Sequence, residues 1–372
     1  MKKLSEHIIK EVKAAQIRNR FPRLIGKNAK RVEHGYGYTD DIVIITTDTG
    51  FTGWGLGRAD RSLKLSLEGK ALSQVFDPAI GILDMGYSAA DIALHDLAGK
   101  ILGISVSKML NPKSTMRALV YDGAIYLDEL RANGEDWGVG HILKNCRDDA
   151  ALGYADFKLK LGRGSKWMEP EAGLKRDVEI TRAIRKEYPD AKILVDFNDE
   201  LDVDTVIRYM EQVKDCDIFW IEEGFRENYD DCMKLKAYLK KNSPQTLLAD
   251  GEANYDRAEI MDLAERGAVD VLLMDIISYS LTEWRAIMEK CRAQGIKCSP
   301  HSWGLGLKTR TVCHIAAAFP DICPAVEGVP DTTEGVDYSG YTLKDGIMTI
   351  EDRPGFGMDL EYARPVEIWR PY

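Results

Sequence analysis

The sequence predicts an α/β protein: a parallel (β/α)-barrel preceded by a smaller α+β region. Two observations carry the barrel. From about Arg117, short apolar runs alternate with longer, charged amphipathic segments, the pattern of βα units feeding a parallel sheet. Eight such runs fill a segment of barrel length. A third observation concerns chemistry: ionisable residues stand at the C-terminal ends of the runs, where barrel active sites form. A doubly wound open sheet is the competing architecture. Against it, no G-x-G-x-x-G follows a first strand, and "GRG" at 162–164 is too short to count.

A chain of 372 residues exceeds what one small core organises, so a large domain and a smaller one are expected. We divide it into an α+β cap at 1–114, the barrel at 115–330, and a Gly- and Pro-rich segment at 331–372 that returns to pack on the cap. Within the cap, "DIVIITTDTGFTGWGLG" (41–57) predicts a hairpin, with β-branched residues leading into a D-T-G turn. "SAADIALHDLAGKILGISVSKML" (88–110) predicts a helix: Ile92, Leu94, Leu97 and Ile101 recur at helical spacing, with Ser88 as N-cap and Gly103 as stop. Barrel strands are expected at "ALVY" (118–121), "FKLKL" (157–161), "ILVDF" (193–197), "IFWIEE" (218–223), "TLLADGE" (246–252), "VLLMD" (271–275), "IKCSPH" (296–301) and "PAVEG" (324–328). Helices such as "EAGLKRDVEITRAIRKEY" and "LTEWRAIMEKCRAQG" lie between them.

Hydrophobic residues make up 45% of the chain and charged residues 30%, the balance of a soluble globular protein. A net charge of −10 argues against a nucleic-acid partner. The N-terminus has no apolar core of signal-peptide length, and no apolar stretch approaches the roughly 18 residues of a membrane span. The seven cysteines are odd in number and include no C-x-x-C pair, which speaks for scattered thiols and a cytoplasmic location.

In "IFWIEEGF" (218–225) four large apolar residues run straight into Glu222 and Glu223. Buried charge is costly unless it is paired or bound to a metal. The same position on the other strands holds Lys158 and Lys160, Asp196 with Asn198, Asp250 with Glu252, Asp275, His301 and Glu327. From Asp196, the steps to Glu222, Glu252, Asp275, His301 and Glu327 are 26, 30, 23, 26 and 26 residues, each about one βα unit. One polar residue at a strand exit is ordinary, but a ring of them would crowd like charges at one opening. A cation resolves this. Asp196, Glu222 and Glu252 lie on successive strands, and their oxygens, with water and substrate, suit an octahedral Mg²⁺ shell. Zinc is disfavoured because the set lacks His and Cys. Glu223 is left with a hydrogen bond or a salt bridge to a lysine.

In "FKLKL", Lys158 and Lys160 share a face opposite Phe157, Leu159 and Leu161, and in a barrel that face points inward. A lysine beside a metal and another lysine is expected to have a lowered pKa and to serve as a base. Asp275, one strand before His301, can hold the imidazole Nδ1–H. A metal, a lysine base and a His–Asp pair point to removal of the proton next to a metal-bound carboxylate. The enediolate formed would be stabilised by metal charge and hydrogen-bond donors.

In this order and spacing the residues resemble the enolase superfamily, specifically its mandelate racemase subgroup (the mandelate racemase/muconate lactonizing enzyme family), over nearly the whole chain. Residues 88–110 look like the family's capping-domain helix, and "KLK" at 158–160 matches its K-x-K motif. The resemblance implies a modified (β/α)7β TIM-type barrel under an α+β N-terminal capping domain, assembled as a homo-oligomer. It implies Asp196, Glu222 and Glu252 as Mg²⁺ ligands, and Lys160 and His301 as bases on opposite faces of the substrate, with Asp275 as the partner of His301. Lys158 and Glu327 would hold the substrate carboxylate, and Asn198 would touch the substrate. There are departures from the family pattern. Gly224 follows Glu222-Glu223 where E-E-P is frequent, and "IISYSLTEW" replaces a double glycine after strand six. "GRGSKWMEPEAGLKRD" makes a long loop after Lys160, and His95 stands where tryptophan is frequent. None removes a catalytic group.

The leading expectation is Mg²⁺-dependent dehydration of a small carboxylate, an acid sugar, to a 2-keto-3-deoxy acid. Racemisation or epimerisation of a 2-hydroxy acid is the alternative, since both bases are present. A non-catalytic binding protein on the same fold is a further one; it predicts decay among the strand-end groups, which the sequence does not show. Lactone-forming and dipeptide-epimerising relatives need a lysine at strand six, where Asp275 stands. Substrate choice is expected to lie in the loop after Lys160 and in the cap loop "RFPRLIGKNAKRVEHGYGYTD" (20–40), a lid in which His34, Arg31 and Arg20 are candidate contacts. Trp303 and Tyr121 are candidate pocket residues.

Overall fold

The computed structural model describes residues 3–131, 133–252 and 256–368. After a 3-10 turn at Leu4–Glu6, the first strand of the cap is Ile9–Arg20, which the sequence does not announce. Charged and polar residues interrupt it, and only alternate stretches such as Ile9, Val12, Ala15 and Ile17 are buried. It pairs antiparallel with Thr39–Thr47, which pairs in turn with Thr52–Leu56 in the predicted hairpin. The cap helix spans Asp91–Leu102 and stops at Gly103, whose φ of +73° is the left-handed conformation that favours glycine. Its start differs from expectation. Ser88 lies inside a 3-10 turn, Met85–Ala90, so its hydroxyl is not at the helix entrance; Asp84 caps that turn instead, accepting from Gly86 N at 2.8 Å. A second short helix, Val106–Leu110, is capped by Ser105. His95, at a departure from the family pattern, is buried, with Nδ1 bonded to Asp91 O at 2.9 Å and its ring edge-on to Phe76.

Eight parallel strands follow: Arg117–Ile125, Phe157–Lys160, Ile193–Asp196, Ile218–Glu222, Leu247–Asp250, Val271–Leu272, Lys297–Cys298 and Val326–Gly328. Each of the first six pairs in parallel with the next, and the eighth pairs in parallel with the first. The seam between the seventh and eighth is closed by Cys298 N to Ile322 O at 2.9 Å and Ser299 Oγ to Ala325 O at 2.7 Å. The sixth and seventh strands are shorter than the apolar runs suggest, two residues each, and meet again at an isolated bridge between Asp275 and His301.

Alternation along the strands builds two layers. Tyr121, Leu194, Trp220, Ala249, Val271, Leu273 and Ala325 fill the barrel floor. Phe157, Leu159, Val195 and Ile221 point outward, into the core shared with helix residues such as Leu174, Val206, Leu235 and Trp284. The long loop expected after Lys160 is mostly helical: a turn at Arg163–Lys166, then Pro170–Glu187, which Pro170 starts at its first position. Arg163 is buried there between Glu129 at 2.5 Å and Asp177 at 2.7 Å.

After the barrel, Thr332–Thr333 and Arg364–Val366 both pair with Ile9–Arg20, while the hairpin Tyr341–Lys344/Ile347–Ile350 pairs with the first barrel strand. Residues 1–2 of the expected cap and 369–372 of the expected C-terminal segment lie outside the described residues. Asp96 ties the parts together, accepting from Trp54 N and Phe356 N, both at 3.0 Å. Among the described residues no helix is long and apolar enough to cross a membrane.

Candidate active site

Strand alternation sets the site directly on the barrel floor. Two residues past floor-facing Leu194 and Trp220, the same faces carry Asp196 and Glu222. Asp196, Glu222 and Glu252 offer oxygens within 4.8 Å of one another. Lys158 reaches up among them, with Nζ 2.5 Å from Glu222, 3.2 Å from Asp196 and 2.7 Å from Glu327. Lys160 bonds Asp196 and lies 5.6 Å from the Tyr126 ring centroid. Burial opposes charge on both lysines, but their carboxylate neighbours outweigh it, so both pKa values are raised. For Lys160 this corrects the expectation of a lowered pKa: Asp196 at its tip counts for more than the second lysine. Burial likewise opposes charge on Asp196, yet Lys160 and Lys158 hold its carboxyl below the usual range. Glu222 is pushed up to about 8, by burial against the pull of Lys158.

Facing this group are His301 and Asp275. The His301 Nδ1 lies 3.0 Å from Asp275 Oδ2, and its Nε2 lies 3.2 Å from Glu252 and 3.3 Å from Glu327. Burial disfavours the imidazolium, but Glu252, Glu327 and Asp275 outweigh it and raise the pKa. Asp275 is in turn held low: burial is overcome by His301 and by Lys308, whose Nζ lies 2.8 Å away.

Several supporting residues escape a strand-end reading. Lys308 comes from the helix Gly306–Ala318. Trp220 donates its indole N–H to Glu222 Oε2 at 3.0 Å, a partner that fixes the carboxylate's orientation. Its i−2 position on the same strand face was the available signal. Gly123, on the first strand, leaves room for Glu327: a Cβ there would stand 2.5 Å from Glu327 Oε1.

A small cavity of about 70 Å³ opens over Lys160, Asn198, Glu223 and Glu252. Asn28, Lys30, Arg31 and His34 of the cap loop line its other side, with Tyr126 and Trp303. His34 donates Nδ1–H to Gly26 O, 2.8 Å away, since a carbonyl can only accept, and in the neutral ring Nε2 is left as an acceptor. Burial lowers the His34 pKa, which favours the neutral form. The segment after Lys160 holds the cap loop from outside: Trp167 Nε1 donates to Asn28 O at 2.7 Å and Ser165 Oγ to Ala29 O at 3.1 Å. Asn198 sits at φ +52° and donates to Glu223 Oε2 at 3.3 Å, so Glu223 takes a hydrogen bond from an amide and not from a lysine.

Two pocket candidates fall elsewhere. Arg20 ends the first cap strand pointing outward and pairs with Glu334. Tyr121 faces inward but lies in the floor, edge-on to Trp220 at 5.3 Å between centroids.

The donor set fits a hard divalent cation. All three ligand candidates offer oxygen, and Glu252 Oε2 is buried without a hydrogen-bond partner among the described residues. Residues 141–364 match the family described as enolase C-terminal domain-like. The chain is similar to galacturonate dehydratase from Geobacillus sp. That enzyme solved with D-galacturonate and 5-keto-4-deoxy-D-galacturonate is 29% identical, with a TM-score of 0.88 over 96% of this chain and 95% of that one. A mutant of it solved with Mg gives a TM-score of 0.90 at 28% identity, over 96% and 94% of the two chains. D-galactarolactone cycloisomerase from Agrobacterium fabrum is 26% identical over 303 residues, covering 76% of this chain and 74% of its own.

Proposed function

The chain belongs to the enolase C-terminal domain-like family, and from that premise we propose that it is a Mg²⁺-dependent acid-sugar dehydratase acting on the proton next to a substrate carboxylate. The observation that carries this reading is one opening shared by the Asp196–Glu222–Glu252 oxygen cluster, a lysine pair and a His301–Asp275 pair. Asp196, Glu222 and Glu252 would hold Mg²⁺, whose charge favours the enediolate. Lys158, buried and kept cationic by Glu222 and Glu327, would hold the substrate carboxylate together with Glu327. Lys160, held as the ammonium while it bonds Asp196, would take the α-proton from one face in its neutral form, which a cation on Asp196 would favour. On the other face His301, whose imidazolium Glu252, Glu327 and Asp275 favour, would protonate the departing β-hydroxyl. The enol left after C–O cleavage tautomerises to a 2-keto-3-deoxy acid. The 5-keto-4-deoxy-D-galacturonate bound in the relative's structure has the same pattern counted from the other end of a uronate: keto next to the carboxylate, deoxy beyond it.

His34, Trp303 and Asn198 would contact the sugar, as residues lining the cavity over Lys160. The same proposal takes residues 1–114 as the cap, 115–330 as the barrel and 331–372 as the returning segment. It places the enzyme in the cytoplasm as a homo-oligomer without a nucleic-acid partner; the seven buried free cysteines and the net charge of −10 support location and partner class. The retention of both Lys160 and His301 also favours a second reading, epimerisation of a 2-hydroxy acid.

A panel of hexonates, uronates and aldarates incubated with Mg²⁺ tests the proposal, with α-keto acid formation as the readout. At least one should be dehydrated. Epimer formation without keto acid would move the assignment to the second reading. The absence of keto acid, epimer and α-proton exchange across the panel would leave a binding protein.

A further inference from the structure

A second acidic cluster stands beside the first. Asp199 lies three residues after Asp196, Glu227 five after Glu222, and Asp250 two before Glu252. The three strand ends that carry the first oxygen cluster therefore carry another, and its oxygens again lie within 4.8 Å of one another. Glu227 is 4% exposed and Asp250 3%. In the first cluster Lys158 and Lys160 answer the negative charge. In the second, compensation is thin: the exposed Arg226 has Nε 3.4 Å from Glu227 Oε2, Gly251 N donates to Asp250 Oδ1 at 2.7 Å, and Lys30 and Arg226 attract Asp199 without bonding it.

An independent observation points to a ligand. Both Glu227 carboxylate oxygens and Asp199 Oδ1 are buried without a hydrogen-bond partner among the described residues. Orphaned carboxylate oxygens are costly, and three carboxylates this close repel one another. Burial and the Glu227 charge accordingly push Asp199 up to about 7.

We propose that Asp199, Glu227 and Asp250 form a second site for a hard divalent cation, Ca²⁺ or Mg²⁺, distinct from the Asp196–Glu222–Glu252 cluster. The donors are all oxygen, without the His or Cys that softer metals take. A cation there neutralises the cluster and satisfies the orphaned oxygens. It also ties the end of the fifth strand to the turns after the third and fourth, where Asn198, Asp199 and Glu223 hold φ values of +52°, +62° and +42°. The site takes no part in the reaction; its work is to hold the ends from which the first cluster projects.

The test is metal stoichiometry on the full chain after chelator stripping, by equilibrium dialysis against Ca²⁺ and against Mg²⁺ in turn. The wild type should bind two equivalents of at least one of the two ions, and D199N/E227Q one fewer. E222Q, which disables the first cluster, should retain one equivalent. A single equivalent in the wild type with both ions, or none in E222Q, would overturn the proposal, as would two in D199N/E227Q. Should the double variant lack the native circular dichroism spectrum, the wild-type and E222Q stoichiometries decide alone. Failure of E222Q to lose an ion would count against the first cluster as a metal site and leave this one standing.

Discussion

Glu327 is positioned by what stands next to it in space and by what Gly123 lacks. Its carboxylate reaches Lys158 at 2.7 Å and His301 at 3.3 Å, and it does so across the space a Gly123 side chain would fill. Gly123→Ala should therefore displace Glu327. We expect a loss of at least about tenfold in kcat/KM, with a stability cost of about 1–3 kcal/mol typical of overpacking. Steady-state kinetics beside urea unfolding separates the two effects, and wild-type kcat/KM in a folded variant would show that Glu327 tolerates the shift. Lys160 and His301 make a second prediction at this scale. Lys160 lies on the Asp196 side of the opening and His301 on the Glu252 side. In D₂O, Lys160→Ala should retain only α-proton exchange mediated by His301, and His301→Ala only that mediated by Lys160. Asp275→Asn should resemble a damaged His301, since it removes the carboxylate 3.0 Å from Nδ1. Full substrate conversion in either alanine variant would rule out a two-base site.

Elements are joined by His314 on the helix Gly306–Ala318. Its Nδ1 accepts from Ser107 N at 3.0 Å, so Nε2–H donates to the Tyr341 hydroxyl at 2.8 Å. One imidazole thus ties a barrel helix to the cap and to the C-terminal hairpin, and it must be neutral to do so. Burial pushes its pKa down to about 3. The folded state therefore binds fewer protons than the unfolded chain below the ordinary histidine pKa. This contribution is intact above pH 6.5 and is lost as pH falls toward 3, at about 2 kcal/mol between pH 6.5 and 5. Urea unfolding at pH 7 and pH 5 should show His314→Asn to be less stable than wild type at pH 7 but to lose less on acidification. Equal losses would mean that His314 is not the titrating tie. The lid, residues 20–40, is a second element with a testable role. Trp167 and Ser165 hold its backbone, and His34 and Arg31 line the cavity. A substrate or competitive inhibitor should slow amide exchange across the lid. Unchanged exchange with a ligand known to be bound would remove the lid from substrate binding.

For the whole molecule, the acidic clusters are a store of repulsion that cations relieve. An ion that binds only the folded state adds about 2.7 kcal/mol at a hundred times its Kd. Stripping divalent ions should lower Tm, and adding Mg²⁺ should restore it; a Tm indifferent to both would leave the clusters balanced by lysines and protons alone. The barrel and the clustering of its strand-end groups were legible beforehand because both are written locally. Apolar runs ending in Asp196, Glu222 and Glu252 recur at the βα period, and "FKLKL" shows its two faces in five letters. Local pattern failed where polarity and register disagreed. The strand Ile9–Arg20 is too interrupted by charge to stand out, and Ser88 has the chemistry of a cap but sits within a 3-10 turn. The sequence by itself determined the architecture, the ring of ionisable strand ends and the resemblance that named their chemistry. Only the tertiary structure decided which groups meet: Trp220 on Glu222, Lys308 on Asp275, Gly123 making room for Glu327, Tyr121 in the floor, Arg20 outside, and Asp199 brought to Glu227 and Asp250. The reason is physical. Periodicity reports which way a side chain faces along its own strand, whereas these contacts span different strands and helices, and their distances are set by barrel closure and side-chain packing.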